Sequence, residues 1–354
     1  MRYSVQPFRA ARRQLIAHLT KKMSVLSGLN PSALAPTSCH VAVVGAANMD
    51  ILVHTSMGLA PSDSNPGNIL CAPGGVGRNV AENLARLGLA SQLFSVVGDD
   101  VFGQALLAAT RQAGVNVSAV SVWPGSSSAS YLAWHGSDGD MLAAVNDMGL
   151  LNKLTPEVLQ EKASELKRAQ MMVLDCNLTP PTLAWLLQSP NIPIFVDAVS
   201  VAKCEKVRPW LSSLQLLKVN QREASVLSGM QVETADQACR AASLLHRAGV
   251  KQVVVSLGVD GVAWCDADGQ TGHRPAHKVA VVNTSGAGDA LLAGLVLGCS
   301  EGLSLAQAVQ GAMACAEITL ASPHANSPHL SVVALRAHLN DAGWLGRDRQ
   351  PEKP

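Results

Sequence analysis

Short apolar runs recur along the chain, and most of them end in glycine or a polar residue before a stretch with helical spacing begins. Val41–Val44, Ser91–Val97, Met171–Leu174, Ile194–Val196 and Val253–Leu257 are such runs. Helical patterns lie between and beyond them, at 79–88, 102–113, 155–169, 180–188, 221–228, 235–248, 287–297 and 305–320. Strands without polar alternation must be covered on both faces. The alternation therefore predicts an α/β fold, with a mostly parallel central sheet between two layers of helices. Hydrophobic residues make up 48% of the chain but aromatics only 3%, so the core is built from Leu, Val, Ala and Ile. Two segments break the alternation, 51–72 and 121–146. Their strand-like stretches (120–123, 130–134, 141–145) predict a small antiparallel sheet apart from the main one, placed as a lid.

The formal charge of +1 conceals an asymmetry. Residues 1–40 contain Arg2, Arg9, Arg12, Arg13, Lys21 and Lys22 and no acid, so the remainder is mildly acidic. Such a balance disfavours nucleic acid as a partner. No apolar stretch of about 20 residues predicts a membrane span. The leader has the composition of a mitochondrial transit peptide, and a plain extension of a cytoplasmic protein fits it equally. The eight cysteines are scattered, with no CxxC pair, as expected of reduced thiols in an intracellular protein. The predicted boundaries are a leader at 1–40, one catalytic domain at 41–340 and a polar tail at 341–354.

Two glycine motifs precede helices. Pro73-Gly-Gly-Val-Gly-Arg-Asn79 allows close backbone approach to a ligand, and Asn79 can both donate and accept. Asn283-Thr-Ser-Gly-Ala-Gly-Asp289 opens an apolar helix. The amides of Gly286, Ala287 and Gly288 would face an anion at the positive end of that helix, with Asp289 beside it as a proton acceptor. Other polar residues follow strands: Asn48 and Asp50, Asp175 and Asn177, Asp197, Asn220 and Glu223, and the Ser256–Gly261 turn. Ligands of open α/β sheets bind at those strand ends. GxGxxG after the first strand and GxxxxGK[ST] anywhere are both missing, which disfavours a nicotinamide dehydrogenase and a P-loop kinase.

With these motifs in this order, the chain from about Val41 to Leu335 resembles the ribokinase-like (PfkB) carbohydrate kinases. Within that family it is similar to the pseudouridine kinase branch. The narrower likeness rests on Asp63–Gly67, Gly74–Asn79, Ser130–Leu132, Ala144–Met148, Asp175–Asn177 and Phe195–Ser200. The resemblance implies a three-layer α/β/α domain with about eight to ten strands and a β lid. It implies transfer of the ATP γ-phosphate to a sugar hydroxyl, with Mg2+. It makes Asp289 the catalytic base and Gly286, Ala287 and Gly288 the anion hole. Asn48, Asp50, Gly74, Gly75 and Asn79 would grip the ribose, with Asp175 nearby. Ser64, Asn65, Tyr131, Asn146 and Asp147 would read the base from the lid. Asn220 and Glu223 form the NxxE element, with Glu223 organising the metal, and Ser256, Gly258 and Gly261 would hold the nucleotide. Relatives often carry an Asp that supports a monovalent cation such as K+; here it is Asn283. The family also implies a lid-mediated homodimer and, for this branch, a link to a pseudouridine-5′-phosphate glycosidase. Two alternatives are another sugar or nucleoside kinase of this fold, and a non-catalytic sensor of sugar or nucleotide.

Overall fold

The computed structural model describes residues 37–55, 60, 62–136, 141–188 and 192–341. The basic leader up to residue 36 and the tail from residue 342 lie outside the described residues.

An eight-stranded sheet forms the centre. Its strands are β1 (Thr37–Val44), β4 (Leu89–Phe94), β9 (Met171–Asp175), β10 (Ile194–Asp197), β11 (Leu216–Asn220), β12 (Gln252–Ser256), β13 (Val262–Cys265) and β14 (Thr271–Arg274). The order across the sheet is β14-β13-β12-β11-β10-β9-β1-β4. From β1 to β12 the pairings through β9, β10 and β11 are parallel. The last hairpin, β13 and β14, is antiparallel. Val43, Val173, Val196 and Val254 are buried with their neighbours on both faces, as a sheet between two helix layers requires.

The longer helices are α1 (Val76–Arg86), α2 (Val101–Gln112), α3 (Pro180–Leu187), α4 (Gln221–Ser228), α5 (Ala235–Arg247), α6 (Ala287–Ser300), α7 (Leu305–Leu320) and α8 (Val332–Asp341). Side-chain caps define several starts. Asn220 and Glu223 form a capping box on α4, and Thr234 with Gln237 and Ser304 with Gln307 do the same on α5 and α7. The helix expected at 155–169 is instead two short helices, Pro156–Gln160 and Ala163–Leu166. Helices α6 and α7 pack closely because their contact is lined by small residues. A Cβ on Gly294 would overlap Ala312, and one on Gly298 would overlap Ala308.

The lid is a second sheet, ordered β3-β2-β7-β8, from β2 (Asn48–Thr55), β3 (Gly67–Gly74), β7 (Ser130–His135) and β8 (Met141–Asp147). It corrects the expected antiparallel sheet, since β2 and β7 pair in parallel. Nor does 121–123 belong to it. Ser121–Trp123 (β6) pairs with Val96–Gly98 (β5) in a separate two-stranded ribbon.

All eight cysteines are unpaired. Among the described residues no helix is long and apolar enough to cross a membrane. Because the α6–α7 seam has no room for a side chain, Gly294→Val is expected to destabilise the fold by about 1–3 kcal/mol. Thermal unfolding monitored by circular dichroism measures the loss.

Candidate active site

Every functional group predicted on the central sheet lies at the carboxyl end of a strand. Asp175 closes β9, Asp197 closes β10, Asn220 closes β11 and Ser256 closes β12. The register sets Asp175 beside Asp197, Asp197 beside Lys218, and Asn220 beside Ser256. Parallel pairing thus converts four distant sequence positions into one row of polar side chains.

Asp175 is the anchor of that row. Its Oδ2 accepts the amides of Ala46 (2.8 Å) and Gly77 (2.9 Å), and its Oδ1 accepts Asn177 N–H (2.8 Å). One carboxylate therefore ties the turn after β1 to the first residues of α1. The closeness leaves no room for a side chain at Gly45, whose Cβ would overlap the Asp175 carboxylate. Burial raises the Asp175 pKa against the pull of these amides. Its contacts make it a brace between the turn after β1 and the start of α1.

Gly75 caps α1 with φ of 99°, and its Cα lies against the Ala46–Ala47 backbone. This lets Asn48, Asp50 and Gly74 meet. Asn48 Nδ2 donates to Asp50 Oδ1 (2.7 Å), and a Cβ at Gly74 would overlap the Asp50 carboxylate. One helical turn further, Asn79 Nδ2 donates to Asp289 Oδ2 (2.8 Å). The two glycine motifs, 210 residues apart, are joined by that bond.

Asp289 sits in the first turn of α6 with 8% of its surface exposed. Burial, helped by the charge on Asp197, pushes its pKa up to about 7, against the Asn79 hydrogen bond and the charge on Lys218. A carboxylate poised there can accept a proton near neutral pH. Gly286, the residue before the helix, has φ of 78°, and a Cβ on it would overlap the Ala325 carbonyl. Only glycine lets the chain turn so tightly there. The first amides of α6 have no preceding helical carbonyl, which leaves donors able to receive an anion at that end of the helix.

Lys218 was not among the residues predicted to act. It is 7% exposed, its Nζ donates to Asp197 Oδ2 (2.9 Å), and a Cβ on Gly288 would come within 2.7 Å of that Nζ. Burial alone would lower its pKa, but Asp197 raises it beyond the ordinary lysine value, so the ammonium persists beneath the anion hole. A single Lys inside the apolar run Leu216–Val219 was the available signal, since a buried lysine needs an acidic partner. Arg78 was also missed, although it lies inside the first glycine motif.

Asn220 and Glu223 close a reciprocal box: Asn220 N–H and Nδ2 donate to the two Glu223 oxygens (2.8 and 2.6 Å). Burial raises the Glu223 pKa. Among the described residues no three His, Cys, Asp or Glu side chains converge into a metal cage. A lone carboxylate beside an anion hole still fits Mg2+, which keeps several waters and takes its other ligands from phosphate. Ser256 leads into a turn in which Gly258 and Gly261 have φ of 61° and 93°. A Cβ at Gly261 would overlap the Arg274 carbonyl, so this glycine is needed by the β12–β14 strands themselves.

On the lid, the register puts Asp50, Tyr131 and Asn146 opposite one another in adjacent strands. They therefore share the face that carries Asn48. Asp147 points the other way, and its Oδ1 accepts Gly149 N–H (3.3 Å). Asn65 spends its amide on its own loop, through Ala60 and Asp63. Ser64 is exposed beside it, its amide on Asp63. Of the five predicted base readers, Tyr131 and Asn146 stand on the face that carries Asn48 and Asp50.

The model of the pfkB family carbohydrate kinases matches residues 39–331. The chain belongs to that family. It is 40% identical over 307 residues to a pseudouridine kinase of Escherichia coli (strain K12), covering 86% of this chain and 98% of that one. It is also 40% identical to an uncharacterized sugar kinase, YeiI, of the same organism, covering 82% of this chain and 80% of that one. A solved carbohydrate kinase from Agrobacterium tumefaciens superposes with a TM-score of 0.75 at 29% identity, covering 85% of this chain and 97% of that one. A ribokinase from Arabidopsis thaliana, solved with ribose and ATP, has the same fold: TM-score 0.77, 24% identity, 86% and 99% coverage. This pfkB kinase is an ATP-dependent phosphotransferase of the sugar and nucleoside class, and kinases of this fold use ATP with Mg2+.

Asp289 gives two pH-dependent expectations. If it accepts a proton during turnover, kcat climbs about tenfold per pH unit on the acid side and levels off above about 7. In stability the sign is reversed. A carboxyl group whose pKa is raised on folding favours the folded state fully below its unfolded value of about 4. That contribution is lost as the pH rises through about 7. Asp289→Asn should therefore gain in melting temperature over the parent between pH 5 and pH 8, as calorimetry at the two pH values measures.

Proposed function

We propose that this kinase phosphorylates the 5′-hydroxyl of pseudouridine, giving pseudouridine 5′-phosphate and ADP. The observation that carries the reading is the 40% identity to the E. coli pseudouridine kinase along 98% of its length. The lid supports it: Asn48, Asp50, Tyr131 and Asn146 share one face, offering carboxylate, amide and hydroxyl groups to a ribose and a uracil edge. In this reading Asn48, Asp50 and Asn79 hold the ribose so that its 5′-oxygen lies against Asp289. Asp289 takes the hydroxyl proton as that oxygen attacks the γ-phosphorus. The amides at 286–288 and the Lys218 ammonium receive the charge that spreads over the transferring group. Glu223 would hold Mg2+, which when bound would add charge neutralisation. The lid excludes water, which limits hydrolysis of ATP.

The equal likeness to YeiI favours a second reading, in which a different sugar or nucleoside is the acceptor. Two further features belong to the proposal. Asn283 Nδ2 donates to Pro323 O (3.1 Å), its Oδ1 accepts Ser285 N–H (2.9 Å) and its own amide donates to Leu320 O (3.3 Å). Asn283 offers an amide where relatives carry a carboxylate, so the reading includes activity without added K+. The lid face opposite Asp50 exposes Ile69 (70%) and Val145 (65%), an apolar pair suited to a second copy of the chain.

The deciding experiment is a panel of pseudouridine, uridine, inosine, guanosine and ribose with ATP and Mg2+, with and without K+. Pseudouridine should release ADP fastest, whether or not K+ is added. Faster turnover of any other compound would assign the acceptor to that compound instead. Asp289→Asn should fold and lose activity by about 10²–10⁴-fold. Near-normal turnover in that variant would remove Asp289 from the role of base.

A further inference from the structure

Asn79 can serve Asp289 only while its amide group faces the right way. An ionised carboxylate accepts and never donates, so the Nδ2 end must face Asp289 and the Oδ1 end must face a donor. That donor is Arg78. Its Nη1 donates to Asn79 Oδ1 (2.7 Å) and also to the carbonyl of Pro73 (2.9 Å), the residue before the two glycines that end β3 and begin α1. The guanidinium is itself locked. Its Nε donates to Thr110 Oγ1 on α2 (3.2 Å), its Nη2 is paired with Glu82, and Nη1 also reaches Asn326 Oδ1 (3.4 Å). Glu82 is held in turn by Arg86 (2.7 Å). Asn326 closes the ring, its Nδ2 donating to Asn79 O (2.9 Å) and Asn83 Oδ1 (3.0 Å). Arg78 is 3% exposed, and a buried guanidinium with every arm engaged holds one orientation.

We infer that Arg78 is a positioning residue for phosphoryl transfer: it holds the Asn79 amide in the orientation that keeps Asp289 in place, and ties that amide to Pro73 on lid strand β3. The inference rests on Asp289 as the proton acceptor. The charged groups facing Asp289 from the surrounding elements are Asp175 on β9, Asp197 on β10, Lys218 on β11 and Arg78 on α1. Lysine at position 78 keeps the charge in that set but cannot reproduce the fork. The amide of Asn79 is then free to turn its oxygen toward Asp289, which disfavours the ionised carboxylate and moves the acid limb of kcat to higher pH.

The test is a double-mutant cycle of Arg78→Lys with Asn79→Ala, measured as kcat against pH with saturating ATP. Thr110→Val, at the Nε end of the guanidinium, serves as a milder second variant, and Asp289→Asn as the control. Arg78→Lys should lower kcat by about 10- to 100-fold at pH 7, with partial recovery at alkaline pH. In the Asn79→Ala background it should cost less than about threefold, because the amide through which it acts is gone. Thr110→Val should move the acid limb in the same direction by less. An acid limb that stays put in the folded variants overturns the inference, as do losses that multiply in the double mutant. Activity persisting in Asp289→Asn would overturn the base assignment as well. An inactive Asp289→Asn with a multiplicative cycle sinks the Arg78 role alone.

Discussion

Three backbone amides donating to the Asp175 carboxylate hold this site together. They join the turn after β1, the start of α1 and the turn after β9. A charge-assisted bond of this kind is worth more where water is excluded, and here the carboxylate is buried. Asn48 and Asp50 leave the first of these turns, and Arg78 and Asn79 leave the second. Asn48, Asp50 and the partner of Asp289 are thus referred to one point. Glycines at 45, 75 and 77 are required there because the backbones approach too closely for side chains.

The second half of the site depends on buried charge. Asp197, Lys218 and Asp289 lie close together at the ends of β10 and β11 and the start of α6. Lys218 neutralises part of the acidic excess and stands below the amides that would face a phosphoryl group. Burial, helped by the charge on Asp197, keeps the Asp289 pKa near 7. A base of that strength is matched to a proton that must leave as the oxygen attacks, and it is fully available only above neutral pH. The contact also explains why the anion hole is built from Gly-Ala-Gly: a side chain at Gly286 or Gly288 would displace Ala325 or Lys218.

Much of this was written in local pattern. The parallel core follows from apolar runs ending in polar residues. Helix α4 spans the predicted 221–228 because Asn220 and Glu223 cap it, and α7 the predicted 305–320 because Ser304 and Gln307 do. What the pattern did not carry is long-range. No local signal encodes the parallel pairing of β2 with β7, which are separated along the chain by four strands and two helices. The hairpin β13–β14 consists of four-residue strands, too short for periodicity to register. Neighbouring residues on a strand face opposite sides, so Asn146 and Asp147 present their side chains to different faces of the lid. Asp175 was placed near substrate by the family likeness, and its bracing of three backbone amides is a long-range role that no local pattern shows. Arg78, Glu82 and Arg86 follow one another at helical i,i+4 spacing, a local charge pattern, but the contacts of Arg78 with Pro73, Thr110 and Asn326 carry no local signal.

The central claim is that Asp289 receives the 5′-hydroxyl proton of a nucleoside held by Asn48, Asp50 and Asn79. A crystal structure with pseudouridine and a non-hydrolysable ATP analogue tests it most directly. The account predicts the 5′-oxygen within about 3 Å of an Asp289 oxygen, with the γ-phosphoryl group over the amides at 286–288. A 5′-oxygen turned away from Asp289, or a γ-phosphoryl group remote from those amides, would contradict it.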